Sequence, residues 1–272
     1  MNKNTGGRLA QETIELTENK RISGSYFRLR AACGVHYAKA AAGQFVTLRL
    51  LDQTEPLLRR PFSIHQVNIG SNGIPEIEIL YRVVGGFTSK LSRQPAGSRL
   101  DLLGPLGHGF TVTAHTRPAA VVAGGIGVAP LVFLVWQLKL AGMDPDLITV
   151  FLGGQTRSDI LCRDRFEHMG VRTKNTTEDG SLGFHGLVTT SLETWLKTAD
   201  PAMIYACGPH GMLMAVGKIA RSANTACELS IETLMACGLG VCMGCAVKTR
   251  SSGEGFEHVC KHGPVFDAAA LV

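Results

Sequence analysis

The stretch Ala119-Ala-Val-Val-Ala-Gly124-Gly125-Ile-Gly127-Val-Ala-Pro130 decides the fold of the second half of this 272-residue chain. Its apolar run ends in a glycine turn, and a helix-length apolar segment follows as far as Ala141. This order predicts a buried strand, a tight turn and a helix. The backbone N–H groups of such a turn suit a diphosphate, because the positive end of the helix dipole also favours an anion. A connection without a ligand would look similar, since the spacing is not G-x-G-x-x-G.

The same alternation continues toward the C-terminus. The predicted strands are Ala119–Ala123, Leu147–Leu152, Val171–Thr176 and Ala202–Ala206, and the predicted helices are Pro130–Ala141, Asp159–His168, Thr189–Lys197 and Gly211–Arg221. Strand and helix in repetition predict a parallel α/β sheet. The last strand runs into a second turn, Cys207-Gly208-Pro209. In an open parallel sheet two such turns can border one crevice, so together they favour a nucleotide site.

The N-terminal part of the chain has a different sequence pattern. Short β-type runs are separated by Gly, Pro and Asn, and they lie at Gln44–Leu50, Pro61–Val67, Glu76–Val84 and Ser98–Leu103. This pattern predicts an antiparallel barrel or sandwich. Within it, Arg59-Arg60-Pro61-Phe62-Ser63-Ile64 is extended because proline disfavours helix at the preceding residue. Leu80-Tyr81-Arg82-Val83, followed by Gly85-Gly86-Phe87-Thr88, is a similar segment. On the residues alone, Arg60 and Arg82 are equally consistent with exposed surface charges.

The C-terminal tail carries four clustered cysteines, which are Cys237, Cys242, Cys245 and Cys260. C-x4-C-x2-C with a distant fourth cysteine is the plant-type ferredoxin spacing for a [2Fe–2S] cluster. The glycines Gly238, Gly240 and Gly244 fit a loop that must curl tightly and bring N–H groups near sulfur. Zinc also takes four thiolates, although its usual signature is two separated C-x2-C pairs. The isolated cysteines Cys33, Cys162 and Cys227 read as small buried hydrophobes.

Composition limits the class of protein and its surroundings. The formal charge of +5 is scattered along the chain, which argues against a nucleic-acid partner. The polar N-terminus lacks the apolar core of a secretory signal, and glycines and Pro130 interrupt the most apolar window, Ala119–Leu140. We therefore expect no membrane association and a cytoplasmic location. Eight cysteines in that compartment should not form disulfides, so their spacing is read for metal or redox use.

Three motifs together resemble a known superfamily. R-P-F-S in a β region, then G-G-I-G-V-A-P, then C-G-P resembles the ferredoxin–NADP reductase superfamily, in which an FAD-binding barrel precedes a pyridine-nucleotide domain. With the cysteine tail and its closing C-K-H-G-P-V-F, the chain resembles the electron-transfer subunits of NAD-linked (type B) dihydroorotate dehydrogenases nearly end to end. Glu178–Gly183 and Ser230–Glu232 are also similar to that family. The predicted domains are an FAD-binding β-barrel at 8–114, an NAD-binding α/β domain at 115–226 and a [2Fe–2S] subdomain at 227–272.

The resemblance implies a role for particular residues. Arg60 would neutralise the FAD diphosphate and Ser63 would lie near the flavin ring, with further contacts from Pro61, Phe62, Leu80, Tyr81, Arg82, Phe87 and Thr88. The nicotinamide nucleotide would lie along Gly124, Gly125, Gly127, Cys207, Gly208 and Pro209. Phe87 stands where the family often has glycine, and a bulky side chain there would reshape the diphosphate pocket.

The resemblance also implies a function. A partner subunit would oxidise dihydroorotate on its own FMN, and electrons would cross the cluster and FAD of this chain to NAD+, in pyrimidine biosynthesis. The assembly would be a heterotetramer with two copies of each subunit. The sequence contains no acid–base or nucleophilic constellation for a carbon substrate, which supports a subunit role. The alternatives are a hydrogenase-type or ferredoxin-linked NADP reductase subunit, where Arg157 would serve a 2′-phosphate, and a zinc-stabilised, non-catalytic binding module.

Overall fold

A computed structural model describes residues 9–51, 55–70, 73–250 and 255–271. The two outer ends of the predicted domains, residues 8 and 272, lie outside these ranges. No helix within the described ranges has both the length and the apolar character to span a membrane.

The N-terminal part forms an antiparallel sheet that curls into a half-barrel. Its strands are β1 (Ala10–Ser23), β2 (Tyr26–Ala32), β3 (Phe45–Leu50), β4 (Arg60–Ser63), β5 (Gln66–Ile69), β6 (Pro75–Arg82) and β7 (Arg99–Leu106). They lie in the order β4-β3-β7-β1-β2-β6-β5, and the helix α1 (Gly86–Leu91) follows β6. The predicted antiparallel fold is confirmed. The hairpin of β1 and β2 had no predicted counterpart, because in β1 only Ile14 and Leu16 are buried and the apolar alternation is too short to recognise.

The predicted strand Pro61–Val67 is two strands. Ile64 N–H donates to the Gln44 carbonyl, whereas the next residue, His65, donates its N–H to the Glu78 carbonyl. The chain therefore changes partner within two residues, from β3 at one end of the curled sheet to β6 near the other. This crossing brings His65 into the interior of the molecule, where it is 1% exposed.

The second sheet is parallel except at one edge. Its strands are β8 (Ala119–Gly124), β9 (Ile148–Gly154), β10 (Arg172–Thr177), β11 (Phe184–His185), β12 (Met203–Cys207) and β13 (Ala226–Ser230), with helices α2 (Ala129–Leu140), α3 (Arg163–His168), α4 (Val188–Leu196) and α5 (His210–Ser222) between them. The order is β11-β10-β9-β8-β12-β13, so strand order reverses between β8 and β12. The predicted parallel α/β sheet is confirmed. Helix α3 begins later than predicted, because Cys162 has a left-handed backbone (φ 60°) that ends the preceding turn.

The C-terminal residues return to this sheet. The chain forms a hairpin of β14 (Ala246–Lys248) and β15 (Phe256–His258), then α6 (Val259–His262), then β16 (Val265–Asp267), which pairs antiparallel with β13. A domain boundary after residue 226 passes through β13, whose five residues pair with β12. We propose a boundary after Ser230 instead, since β13 ends at that residue and β16 then joins the sheet from the tail. The predicted boundary at 114/115 falls in the connection between β7 and β8 and stays a prediction.

The two sheets share one apolar interior. Buried side chains of the curled sheet and of α2 belong to a single continuous hydrophobic core, and the ring of Phe110 meets Tyr205 edge-on at 5.8 Å between centroids. Polar contacts add to it: Gln137 of α2 bonds the backbone of Ala40 and Ala42, and Tyr26 donates to Asp159 at 2.8 Å. A shared core of this kind fixes how the sheets face each other.

Candidate cofactor sites

The flavin-type motif lies on β4 at the rim of the curled sheet. The Phe62 ring packs 6.0 Å from Tyr81 and 5.9 Å from Phe87, centroid to centroid. Strand β4, strand β6 and helix α1 therefore meet here, as the resemblance implied. Leu80 and Phe87 are buried, so the bulky ring of Phe87 packs into the core.

Two arginines, Arg59 and Arg60, lie at the start of β4, and they have different partners. Arg59 is held by Asp101 at 2.5 Å, and Arg49 joins the same carboxylate at 2.8 Å. Arg60 donates to the carbonyls of Leu58 and Arg59, and in the described part of the chain no carboxylate pairs with it. Arg60 thus keeps its charge available for an anion such as the FAD diphosphate. Arg82 is exposed and stacks over the Tyr26 ring at 5.4 Å.

The turn before α1 is open to a ligand. A Cβ added to Gly85 or Gly86 would meet no atom within 4 Å, so the backbone is uncovered. Thr88 holds the turn in place, because its hydroxyl accepts from the N–H groups of Val84 (2.9 Å) and Gly85 (3.1 Å). An unpaired cation, an aromatic wall and an uncovered glycine turn fit a flavin dinucleotide.

The two glycine turns of the parallel sheet are pressed together. A Cβ on Gly127 would collide with the carbonyl oxygen of Cys207, and one on Gly208 would lie 2.9 Å from the Gly124 nitrogen. They lie at the carboxyl ends of β8 and β12, where the strand order reverses. Ligands of open α/β sheets bind at that point, so the pair fits a nucleotide.

Arg157 lies farther along the same sheet edge and is already engaged. Its guanidinium donates twice to the Ser181 carbonyl, at 3.0 and 3.2 Å, and its backbone N–H donates to the Ser181 hydroxyl. The acidic Glu178 and Asp179 are joined through their N–H groups to the loop after β9. The Asp179 carboxylate accepts from the N–H and the hydroxyl of Ser181, so a negative charge lies on the serine that Arg157 contacts.

The four cysteines of the tail lie in two pairs. Cys245 and Cys260 have their sulfurs 3.2 Å apart, and Cys242 bonds the thiol of Cys237 through its side chain and through its N–H at 3.4 Å. A [2Fe–2S] cluster is held by four thiolates on two irons, so two pairs match its donor set. Among the described residues no three His, Cys, Asp or Glu side chains converge as ligands of a single ion.

Backbone N–H groups point at these sulfurs. Leu239 donates to Cys237 at 3.3 Å and Gly240 donates to Cys260 at 3.1 Å. Although partial burial opposes charge on Cys237, the N–H groups of Cys242 and Leu239 hold its pKa at about 6. Burial and the nearby Cys245 raise the pKa of Cys260 to about 12, since two adjacent thiolates repel without a cation. The residues fit an iron–sulfur cluster, whose irons supply that positive charge.

The segment 237–245, here called the cysteine loop, packs on β3. Strand β3 is the neighbour of β4, here called the flavin strand. Gly238 has a left-handed φ of +70°, and a Cβ there would lie 3.2 Å from Thr47 on β3. Strand β3 pairs directly with β4, so that Thr47 faces Pro61 and Phe45 faces Ser63. The cysteine loop and the flavin strand are therefore neighbours across one strand.

Sequence reasoning missed one group of residues between the two halves. Glu78, fully buried on β6, pairs with Arg165 of α3 at 2.6 Å and Arg30 of β2 at 2.7 Å. His65 accepts from the same Arg165 at 3.0 Å. The signal in the sequence was a carboxylate between two isoleucines, Ile77-Glu78-Ile79. Its partners lie up to 87 positions away, so the pattern alone could not pair them.

Family models recognise two parts of the chain. Residues 232–272 match the iron–sulfur cluster binding domain of dihydroorotate dehydrogenase B, and residues 121–218 match an oxidoreductase NAD-binding domain. Among solved structures, the NADH-dependent reduced ferredoxin–NADP oxidoreductase has a TM-score of 0.82 at 25% identity, covering 95% of this chain and 89% of that one. The cytochrome b5 reductase domain of Ulva prolifera nitrate reductase (TM-score 0.62, 18% identity, 79% and 93% coverage) shows the shared fold alone.

Curated relatives match over nearly the whole chain. The dihydroorotate dehydrogenase B (NAD(+)) electron transfer subunit of Desulforamulus reducens is 41% identical, with 86% of this chain and 87% of the relative covered. The subunit of the same name from Geobacillus sp. strain WCH70 is 35% identical, with 97% and 99% covered. The paired cysteines, the glycine turns and the flavin-type strand agree with these matches, and the chain belongs to the family of dihydroorotate dehydrogenase B electron transfer subunits.

Proposed function

We propose that this chain accepts electrons from a partner subunit that oxidises dihydroorotate and delivers them to NAD+, through a [2Fe–2S] cluster and FAD. The cluster would be held by Cys237, Cys242, Cys245 and Cys260. FAD would be held around Arg60–Ser63, Tyr81 and the turn before Thr88, and NAD+ at the turns Gly124–Gly127 and Cys207–Pro209.

The observation that carries the proposal is the packing of the cysteine loop on β3. Because Gly238 lies against Thr47, and Thr47 is paired with Pro61 of the flavin strand, the two cofactor sites are separated by one strand. Strands in a sheet are about 4.8 Å apart. This proximity supports a relay within one chain.

The residues of the chain orient the cofactors and set their electrostatics. A flavin exchanges two electrons with nicotinamide and single electrons with an iron–sulfur cluster, which is why it belongs between them. N–H groups of Leu239, Gly240 and Cys242 stabilise negative charge on the thiolates. Arg60 would offset the charge of a diphosphate, and the half-buried Phe62 with the buried Tyr81 and Phe87 would form an apolar wall beside the flavin.

We assign the partner to the face around the cysteine loop. Val241 is 78% exposed and Met243 60%, and they flank the exposed Cys242 in the chain; Leu234, three residues before Cys237, is 92% exposed. Exposed apolar patches are typical of protein–protein interfaces. The partner would be the FMN-containing catalytic subunit, in an assembly of two copies of each. All eight cysteines are free thiols, which suits a reducing compartment such as the cytoplasm.

NAD+ rather than NADP+ is the proposed acceptor. Arg157 lies three residues after the end of β9, and its guanidinium is already engaged with the Ser181 carbonyl. The Asp179 carboxylate, held by the same Ser181, would repel a 2′-phosphate, whereas a ribose hydroxyl can donate to a carboxylate.

Anaerobic purification followed by iron, sulfide, zinc and flavin assays tests the cofactors. We expect about two irons, two sulfides and one FAD per chain, as the cluster and flavin require. Zinc without iron or sulfide would favour the non-catalytic module instead.

Reconstitution with a dihydroorotate dehydrogenase catalytic subunit from the same organism tests the reaction. NADH should form when dihydroorotate and NAD+ are supplied together. The similarity to the NADH-dependent reduced ferredoxin–NADP oxidoreductase favours a second candidate, a ferredoxin-linked reductase. Activity with reduced ferredoxin and none with dihydroorotate would select that candidate.

A further inference from the structure

His65 links the two predicted cofactor sites through its imidazole. It lies two residues beyond Ser63 of the flavin strand, and its Nδ1 is 2.6 Å from the carbonyl oxygen of Ala129. Ala129 is the first residue of α2 and directly follows the glycine turn Gly125–Val128. This one side chain therefore connects the end of the flavin motif to the end of the nucleotide turn.

The surroundings fix the protonation of the imidazole. Because Nδ1 faces a carbonyl, which only accepts, Nδ1 carries the hydrogen. Nε2 is then an acceptor, and Arg165 Nη1 donates to it at 3.0 Å. The same Nη1 lies 2.6 Å from Glu78, whose other oxygen is held by Arg30. The charges Glu78, Arg165 and Arg30 thus lock a neutral ring in one tautomer. Glu78 Oε1 also lies 3.4 Å from Nε2, Arg28 lies 3.9 Å from the other Glu78 oxygen, and the Cys162 sulfur is 3.9 Å from Nε2.

We propose that His65 is a positioning residue for hydride exchange between NADH and the flavin, holding the glycine turn at a fixed distance from the flavin strand through its Nδ1–H. In that exchange NADH loses two electrons as hydride and the flavin gains them, so the rate depends on the separation of two rings that different sheets carry. Displacements of about 1 Å in such reactions can cost about 100-fold in rate. The inference rests on the proposed function, because it needs both nucleotides bound.

Anaerobic stopped-flow reduction of the FAD-loaded chain by NADH tests the inference. His65→Leu removes the link and should lower the limiting rate of flavin reduction by roughly 10- to 100-fold, with the NADH dissociation constant changed by less than about threefold. His65→Asn places an amide N–H near the Nδ1 position and should retain a rate within about threefold of wild type. Equal losses in the two variants, or a wild-type rate in His65→Leu, would overturn the inference.

A matched control separates positioning from general loosening of the interface. Gln137→Met removes two hydrogen bonds between α2 and the curled sheet, but eight residues farther along the same helix. It should leave the limiting rate unchanged. If His65→Leu does not fold, His65→Gln takes its place, since its longer side chain carries the amide near the Nε2 position. Flavin reduction by NADH should be slow in His65→Gln and fast in His65→Asn. Equal rates in these two variants would overturn the inference.

Nitrogen NMR of the wild-type imidazole gives a readout that does not depend on turnover. The His65 ring should be neutral with its hydrogen on Nδ1 at pH 7. Hydrogen on Nε2 would contradict the proposed link. If the wild-type flavin is not reduced by NADH at all, the proposed function fails, while this NMR result still decides the tautomer.

Discussion

At the scale of single residues, the tail cysteines and the glycines of the turns are the positions to which we assign the cluster and the nucleotide. Cys245 and Cys260 meet across 15 positions, whereas Cys237 and Cys242 are near in the chain. The spacing indicated a cluster, and the fold decided which cysteines are neighbours. Glycine is required at Gly127 for a different reason, since another backbone occupies the space where a side chain would be.

Cys260→Ser should abolish the cluster and leave FAD in place. Serine is a poor ligand for iron, and the flavin residues lie on β4, β6 and the start of α1, outside the tail. Iron and sulfide assays and the flavin absorbance of the purified variant measure the two cofactors separately. Cys33→Ser, a buried cysteine of the curled sheet, is the control and should keep both. Joint loss of iron and FAD would mean that the two sites depend on each other.

Gly127→Ala should weaken nucleotide binding and destabilise the fold by about 1 to 3 kcal/mol, since the new methyl group overpacks the turn. A Cβ there collides with the Cys207 carbonyl and lies 2.6 Å from the Gly208 Cα. Thermal unfolding and NADH titration measure the two effects. Gly211→Ala is the control: it meets open space on α5 and should change stability by less than about 1 kcal/mol. Equal changes in stability and in NADH affinity in the two variants would contradict the predicted crowding at Gly127.

At the scale of elements, short segments hold the ligand-facing backbone. Helix α1 has only six residues, too few to be stable alone, so it depends on its cap and on the burial of Phe87 and Leu91. The Thr88 hydroxyl accepts from two N–H groups and donates to the Gly85 carbonyl. The cap therefore shapes the open turn where we place FAD.

Thr88→Val should destabilise the protein by about 1 to 3 kcal/mol and increase FAD loss, because it leaves two backbone N–H groups without their acceptor. Thr88→Ser keeps the hydroxyl and should bind FAD as the wild type does. Denaturant unfolding and the FAD-to-protein ratio after gel filtration measure the outcome. Full FAD retention in the valine variant would show that the cap does not support the flavin site.

At the scale of the whole molecule, the two sheets are joined by an apolar core and by the buried charges around Glu78. Burial lowers the pKa of His65 to about 4, and Arg165 acts in the same direction although Glu78 opposes it. The carboxyl group of Glu78 loses hydration on burial, but bonds from Arg165 and Arg30 hold its pKa below the ordinary value. Folding therefore requires a neutral imidazole beside an ionised carboxylate.

Acid should weaken the junction between the sheets. The unfolded chain binds a proton at His65 near pH 6.5, whereas the folded chain does so only near pH 4. The stabilisation is thus complete above about pH 6.5 and falls as pH drops toward 4, with about 2 kcal/mol lost at pH 5. The Glu78 contribution disappears only at lower pH, below its ordinary value of 4.5.

Denaturant unfolding of wild type and His65→Asn between pH 7.5 and 5 measures this effect. The wild type should lose stability more steeply than the variant, because asparagine has no proton to bind. Parallel curves would show that His65 does not titrate as the structure indicates.

The sequence by itself determined the features that are local in the chain. Strand–glycine–helix order, the extended R-P-F-S segment and the cysteine spacing each lie within a short window, so their patterns are readable there. They were sufficient for the fold class, the cofactors and the family. The long, mostly polar strand β1 was not predicted, because its outward side chains outnumber its buried ones.

Only the tertiary structure decided how those local parts meet. It paired Cys245 with Cys260, set Arg157 against Ser181, split the flavin strand at His65 and joined that residue to Ala129, 64 positions away. Such contacts depend on sheet order and on the burial of charges, which no short window of sequence contains. The sequence therefore determined which cofactors the chain can hold, and packing between the sheets decided how the sites face one another.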